Sequence, residues 1–196
     1  MASYYTPSVP WVPTRDEVID YLLEILKPRS GDVVYDIGCG DGRVALALAQ
    51  RNPQARVKCV EIRSDLAAKA RDNAREKGVA LEVVEGDFFK LPLKDANIVY
   101  MYLLTSVNQK LRPKLEEELR PGTIVVSLDF PIPEWTPLAV VELPRSWQRS
   151  LYIYVAGYSD GRYSKEISEK FVVEALERLN LETLPKDVKV KFGRRE

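Results

Sequence analysis

Apolar and polar positions along this chain follow two periods, and the periods take turns. Val33-Val34-Tyr35, Val57 to Glu61, Leu81 to Glu85, Asn97 to Met101 and Thr123 to Leu128 are short apolar or alternating runs of strand length. Helical patterns separate them: Arg43 to Arg51, Asp65 to Lys77 closed by Gly78, and Val107 to Leu119 stopped by Pro121-Gly122. A leading helix is predicted from the capping box Thr14-Arg15-Asp16-Glu17 to about Lys27, ahead of Pro28. The stretch Phe130 to Pro137 holds too much proline for a helix or a central strand. Leu138 to Leu143 and Arg149 to Gly157 then read as a closing antiparallel pair.

Strands that alternate with helices predict an α/β fold: a doubly wound, mostly parallel, Rossmann-like sheet of seven strands. The fifth strand, apolar apart from its ends, suits a sheet covered on both faces. The proline-rich connection takes the place of a late helix, so one covering layer is expected to be thin there. Residues 1–158 form the expected main domain and 159–196 a C-terminal helical extension with a basic tail. The helix predicted from Ser164 lines up Ile167, Phe171, Val172, Ala175, Leu176 and Leu179. That face either caps the domain or serves a dimer contact or substrate docking. The tail from Lys186 to Arg195 carries five basic residues and one acid, and reads as a solvated end or as a lure for an acidic partner.

The chain has 196 residues, equal numbers of acidic and basic side chains, 45% hydrophobic and 30% charged residues, which together suit a soluble globular core. No apolar run approaches the length of a membrane span and no signal-peptide pattern opens the chain, so a cytoplasmic setting is expected. Abundant Lys, Arg and Glu together with many prolines fit a thermophile. Two cysteines, Cys39 and Cys59, suggest neither a disulfide framework nor a metal site. Histidine is absent, which excludes a histidine base and argues against zinc catalysis.

The run Tyr35-Asp36-Ile37-Gly38-Cys39-Gly40-Asp41-Gly42 carries the chemistry. A strand that passes through a glycine turn into a helix brings backbone amides to a ligand, and glycine lets that ligand lie against the main chain. Asp36 supplies acceptors at the strand end, and Glu61 ends the next strand about twenty residues on, the spacing of an acid that holds ribose hydroxyls. Dinucleotide sites favour Gly-x-Gly-x-x-Gly, whereas here the third glycine comes one position earlier and acids stand at Asp36 and Asp41. A pyrophosphate is repelled by such acids; a phosphate-free cofactor with cationic centres is attracted. S-adenosylmethionine, with its amino group and sulfonium, has that chemistry.

Four segments bear a narrower likeness: Val9-Pro10-Trp11-Val12-Pro13-Thr14; Tyr35 to Arg43; Gly86-Asp87-Phe88-Phe89; and Tyr102-Leu103-Leu104-Thr105-Ser106-Val107-Asn108 running into Leu111-Arg112-Pro113-Lys114-Leu115. In these the chain resembles archaeal protein-lysine methyltransferases of the class I superfamily, related to the disruptor-of-telomeric-silencing enzymes and to small mitochondrial lysine methyltransferases. Where that family often has a tyrosine-rich leading segment, this chain has Ser8 and Trp11. The resemblance implies S-adenosylmethionine held by Pro13, Thr14, Asp36, Gly38, Cys39, Gly40, Gly42, Glu61, Ile62, Asp87, Phe88 and Tyr102. It also implies methyl transfer to exposed lysines of proteins near Trp11, Tyr102, Leu103 and Leu104, with no metal.

Methyl transfer is an in-line displacement that needs alignment and exclusion of water rather than a nucleophilic side chain. The acceptor lysine must be neutral, and solvent deprotonation before it enters an apolar channel would suffice. Each site residue also has a plainer reading. Asp87 is either an acceptor for the adenine amino group, with Phe88 on the ring, or a turn aspartate. Tyr102 to Thr105 either line a lysine channel or pack the sheet onto the next helix. Trp11 is a lid over the cofactor, a hydrophobic staple, or both. An Asn/Asp-Pro-Pro-aromatic motif is missing after the fourth strand, which argues against a planar nitrogen acceptor. The domain as a whole is not basic, which weakens nucleic acid as the primary substrate. The competing readings are a small-molecule or RNA methyltransferase of the same fold and a noncatalytic cofactor-binding module.

Overall fold

Successive residues of β1 (Val33–Ile37) face opposite sides of the sheet, and every one of them is buried. In the computed structural model, which describes residues 11–144 and 146–193, Val34 joins one hydrophobic layer while Val33, Tyr35 and Ile37 join the other. Ser8, Val9 and Pro10 of the leading segment, and Arg194 and Arg195 of the tail, lie outside the described residues. A strand covered on both sides cannot alternate apolar with polar, and this one does not.

The first layer is built from α1 (Asp16–Ile25), α2 (Arg43–Arg51), α3 (Ser64–Glu76) and α5 (Lys165–Leu176). The second rests on α4 (Thr105–Glu118), whose Leu111 and Leu115 are fully buried, and on the proline-rich connection. Ile132 and Trp135 fill that connection's share of the layer; Trp135 meets Tyr154 edge to face and donates its Nε1–H to Glu116 at 2.9 Å. The missing helix is thus replaced by a tryptophan and an isoleucine.

The strands are β1, β2 (Arg56–Glu61), β3 (Glu82–Glu85), β4 (Ile98–Met101), β5 (Ile124–Leu128), β6 (Ala139–Glu142), β7 (Ser150–Val155) and β8 (Lys189–Phe192). Their order across the sheet is β3-β2-β1-β4-β5-β7-β6-β8. Strands β1 to β5 are parallel, while β7 runs antiparallel to both β5 and β6. The carboxyl ends of β1 to β5 therefore share one edge. The register Leu128↔Leu151 places the start of β7, and with it the β6–β7 loop, at that same edge.

Three sequence expectations change here. The basic tail forms an eighth strand: Lys189-Val190-Lys191-Phe192 pairs antiparallel with β6. The capping box does not form either. Arg15 is the N-cap of α1 and makes no side-chain cap, Thr14 turns inward, and Glu17 pairs with Arg15 instead. On α5 the buried face is narrower than predicted, because Ala175 is buried and Phe171 and Val172 are half-buried while Ile167 and Leu176 stay exposed.

The extension is tied back to the start of the fold. Lys27 N–H donates to the Arg178 carbonyl and Asn180 N–H to the Ile25 carbonyl. The Arg178 guanidinium donates twice to Asp32, at 2.7 and 2.9 Å, just ahead of β1. Burial disfavours the Asp32 charge, yet Arg178 and the Arg29 amide outweigh it and hold the carboxyl below its usual range. Removing the cation leaves a buried carboxylate unpaired. Arg178→Ala should therefore cost about 3 kcal/mol in urea unfolding, with Arg178→Lys recovering part of the loss. Because the Asp32 pKa is depressed in the folded state, its contribution should fade as pH falls through the acidic range and be absent from the alanine variant.

Candidate active site

The turn between β1 and α2 is held by the end of β2. Gly38 and Cys39 both donate their N–H groups to the Val60 carbonyl, at 2.8 and 3.1 Å. Gly40 N–H donates to Glu61 Oε2 at 2.8 Å, and Arg63 N–H to Glu61 Oε1 at 2.9 Å. Each carboxylate oxygen of Glu61 thus keeps a further lone pair for a ligand hydroxyl. Gly42, the N-cap of α2 at φ 80°, could not carry a Cβ, which would lie 2.9 Å from Ala70 Cβ of α3. A Cβ on Gly40 would overlap the Trp11 indole.

Three carboxylates crowd this turn: Asp36, Asp41 and Glu61 are each at most 6% exposed. Burial pushes Asp36 up to about 8; an N–H from Ala45 at 3.2 Å works against that, and the neighbouring charges of Glu61 and Asp41 add to it. Burial also disfavours the Asp41 charge, but the Arg43 guanidinium, at 3.1 and 2.7 Å, holds its carboxyl below the usual range. The nearby cations, Arg43 and Lys69, act on Asp41, and among the described residues no cation stabilises the charge on Asp36. A buried carboxyl that a neighbouring cation would ionise, beside a glycine cradle, fits a ligand with an ammonium and a sulfonium, which is the charge pattern of S-adenosylmethionine.

The cysteines overturn their sequence reading. Cys39 in the turn and Cys59 in β2 form a disulfide with a Cα–Cα distance of 5.4 Å. The register explains it: Asp36 pairs with Cys59, so a chain that curls back after Ile37 returns Cys39 to β2. The Cys39 side chain is spent under the turn, and its amide is spent on Val60.

Across from the turn, the N-terminal segment crosses the carboxyl edge. The hydroxyls of Thr14 and Tyr100 are 2.9 Å apart, both buried. Gln148, fully buried, accepts from Arg15 N–H at 2.8 Å and donates to the Pro13 carbonyl at 3.1 Å. Nothing in the hydrophobic pattern marks Gln148, and the sequence reading missed it. Trp11 lies on the glycine turn, 5.8 Å from Arg43 and 6.0 Å from Lys69 measured to the ring.

The segment after β4 lines the edge beside the turn. Leu103 is buried, with its Cδ2 3.0 Å from where a Gly38 Cβ would stand, and Leu104 is exposed as the N-cap of α4. Tyr102 stacks on Phe130 at 6.0 Å, and the Gln148 amide is near enough to act on its hydroxyl. Burial raises the Tyr102 pKa, so its hydroxyl stays protonated and is no general base. Beyond β3, Asp87 caps its own turn by accepting from Phe89 N–H at 2.9 Å, and Phe88 and Phe89 pack together at 4.9 Å. Ile62, exposed, follows the end of β2 directly. The fold thus gathers the sequence-predicted residues along one edge, with β1 and β4 at its centre. A doubly wound sheet binds its ligand at such a switch point.

Residues 36–139 match the family described as ANTKMT methyltransferase domain. The chain is 41% identical over 156 residues to a protein-lysine N-methyltransferase of Saccharolobus islandicus, covering 78% of this chain and 97% of that protein. It is 37% identical over 135 residues to the mouse adenine nucleotide translocase lysine N-methyltransferase, covering 68% of this chain but only 58% of the mouse protein. Among solved structures, an RNA methyltransferase from Salinibacter ruber in complex with S-adenosyl-L-homocysteine superposes with a TM-score of 0.69 at 41% identity, over 79% of this chain and 97% of that one.

Two measurements test the turn. Alkylation of the unfolded, unreduced protein should label no thiol, and prior reduction should expose two; reduction should lower stability by about 3 kcal/mol, the entropy of closing a loop of this size. The second concerns Asp36, whose folded pKa of about 8 lies above its unfolded value, so the ligand-free protein binds the extra proton. Stability from this group should fall as pH rises from about 4 to about 8, by at most about 1.4 kcal/mol per pH unit. Thermal melts of wild type and Asp36→Asn across that window should diverge accordingly, the asparagine variant lacking the decline.

Proposed function

The chain belongs to the ANTKMT methyltransferase domain family, and we propose that within it this protein transfers methyl groups from S-adenosylmethionine to exposed lysine side chains of other proteins. The observation that carries the reading is the pairing, at one sheet edge, of an acid-lined glycine cradle with the Tyr102-Leu103-Leu104 segment. The relatives named as lysine methyltransferases support it. The chain spans little more than half of the mouse relative, so that protein's own target is not carried over.

In this reading Glu61 accepts from the ribose hydroxyls with the lone pairs that its bonds to Gly40 and Arg63 leave open. Asp36 faces the amino acid end, where a cation favours its ionised form. Asp87 and Phe88 take the adenine end, and Ile62 flanks the base. Pro13 and Thr14 are held at the edge by Gln148 and Tyr100, and Trp11 covers the glycine turn. The sulfonium supplies an activated methyl group. The protein's part is to align the acceptor nitrogen with that methyl and to keep water out. Leu103 and Leu104 offer the apolar wall along which a long aliphatic stem lies, and such a wall favours the neutral amine. With Tyr102 held as the phenol, the proton leaves to solvent before the amine is enclosed.

One observation favours a second reading: the Salinibacter ruber structure, equally similar, is that of an RNA methyltransferase. Incubation with methyl-labelled S-adenosylmethionine, a protein extract and total RNA separates the two. Label on lysine in protein is expected; label confined to RNA would replace the proposal with the second reading. Glu61→Ala should weaken S-adenosylhomocysteine binding in calorimetry by about 1–3 kcal/mol, the loss of hydrogen bonds to a charged acceptor. Truncating Trp11 should act on that affinity too, whereas Tyr102→Ala should act chiefly on the rate of transfer.

A further inference from the structure

The β6–β7 loop carries a buried amide whose partners come from both halves of the site. Gln148 is fully buried, yet its chain neighbour Trp147 is more than half exposed. What drives the one side chain inward is the end of β5. Asp129 there adopts a left-handed backbone (φ 59°), costly for a residue other than glycine, and its Oδ1 accepts from Arg149 N–H at 2.6 Å and Ser150 N–H at 3.0 Å. Those two bonds fix the chain just after Gln148.

From that anchor the Gln148 side chain reaches three groups. Its Oε1 takes the Arg15 amide, the N-cap N–H that α1 itself leaves without a helical partner. Its Nε2 donates to the Pro13 carbonyl. The same amide is near enough to the Tyr102 hydroxyl to act on it electrostatically. The two hydrogen bonds hold the segment that lays Trp11 on the glycine turn; the polar contact faces the Tyr102 ring, which Phe130 stacks beside the acceptor wall. A surface turn would leave water to satisfy these groups, but this one spends a buried amide on all of them.

We propose that Gln148 is a positioning residue: a latch that ties closure of the N-terminal segment over the cofactor to the placement of Tyr102 at the acceptor side. The proposal rests on the methyltransferase reading of the edge but not on the identity of the acceptor. When Gln148 holds Pro13 and Arg15, Trp11 covers the turn and Tyr102 is fixed by the same side chain. When it lets go, both are released together.

The test uses the full chain and the near-isosteric Gln148→Met, which keeps the volume and removes both hydrogen bonds and the polar contact to Tyr102. Trypsin should cut after Arg15 faster in the variant than in wild type, read as loss of the first 15 residues by intact mass. The variant should bind S-adenosylhomocysteine more weakly and show kcat lower by about tenfold or more on whichever acceptor the extract labels, a cost typical of a misplaced positioning group. KM for that acceptor should change less. Unchanged cleavage at Arg15 together with unchanged kcat overturns the latch. So does a loss of thermal stability with cofactor affinity and kcat both intact, since that marks Gln148 as merely structural. Wild type supplies an independent measure should the variant not fold: the Arg15 amide should exchange slowly with solvent, and more slowly still with S-adenosylhomocysteine bound. Exchange at the rate of an unstructured peptide overturns the proposal. Both the cleavage and the exchange readouts need no acceptor, so they stand or fall apart from the lysine assignment.

Discussion

A glycine turn at the end of a parallel strand exposes several amide N–H groups at once, and the whole carboxyl edge depends on how they are satisfied. Here the end of β2 does it, with the Val60 carbonyl taking two and the Glu61 carboxylate a third. That arrangement satisfies the turn from the sheet side and leaves its outer face to the Trp11 indole. It also leaves Glu61 with acceptor capacity to spare, so in the proposed reading one side chain both braces the fold and receives the ribose. Because β1 and β2 are in register, the brace also brings Asp36, Asp41 and Glu61 into one low-dielectric patch. Like charges gathered out of water are unfavourable until a cation arrives, so the stability of the patch is coupled to the charge of what binds it.

The elements from Val33 to Leu128 were legible because their signals are local: apolar runs of strand length, glycines at φ > 0, a proline or glycine after each helix. Candidate residues carried by those signals, such as Asp36, Glu61 and Tyr102, fall along one edge because topology alone puts strand ends there. What escaped was set by tertiary competition. Thr14 and Glu17 satisfy the spacing of a capping box, but a buried Tyr100 hydroxyl needs a partner and takes Thr14. Cys39 and Cys59 stand 20 residues apart with no motif between them, and only strand register makes them neighbours. Gln148 sits in a loop whose pattern is mute. The last strand was legible in principle, since Lys189-Val190-Lys191-Phe192 alternates with period two, but its lysines pull the reading toward a solvated tail.

Those lysines suit an edge. Among the described residues β8 has a partner on one side only, and two lysines on an outermost strand discourage further pairing by other chains. The extension thus supplies a strand that finishes the sheet and a charge pattern that helps to stop it there.

The clasp between Arg178 and Asp32 has a kinetic side as well. It joins residues 146 positions apart, so it closes one of the longest loops in the molecule, a contact whose closure entropy favours its forming late. An interaction made that late lowers the native state but not the folding barrier, and its energy appears as slower unfolding rather than faster folding. The clasp therefore acts as a brake on escape from the native state, applied one salt bridge away from the strand that carries Asp36.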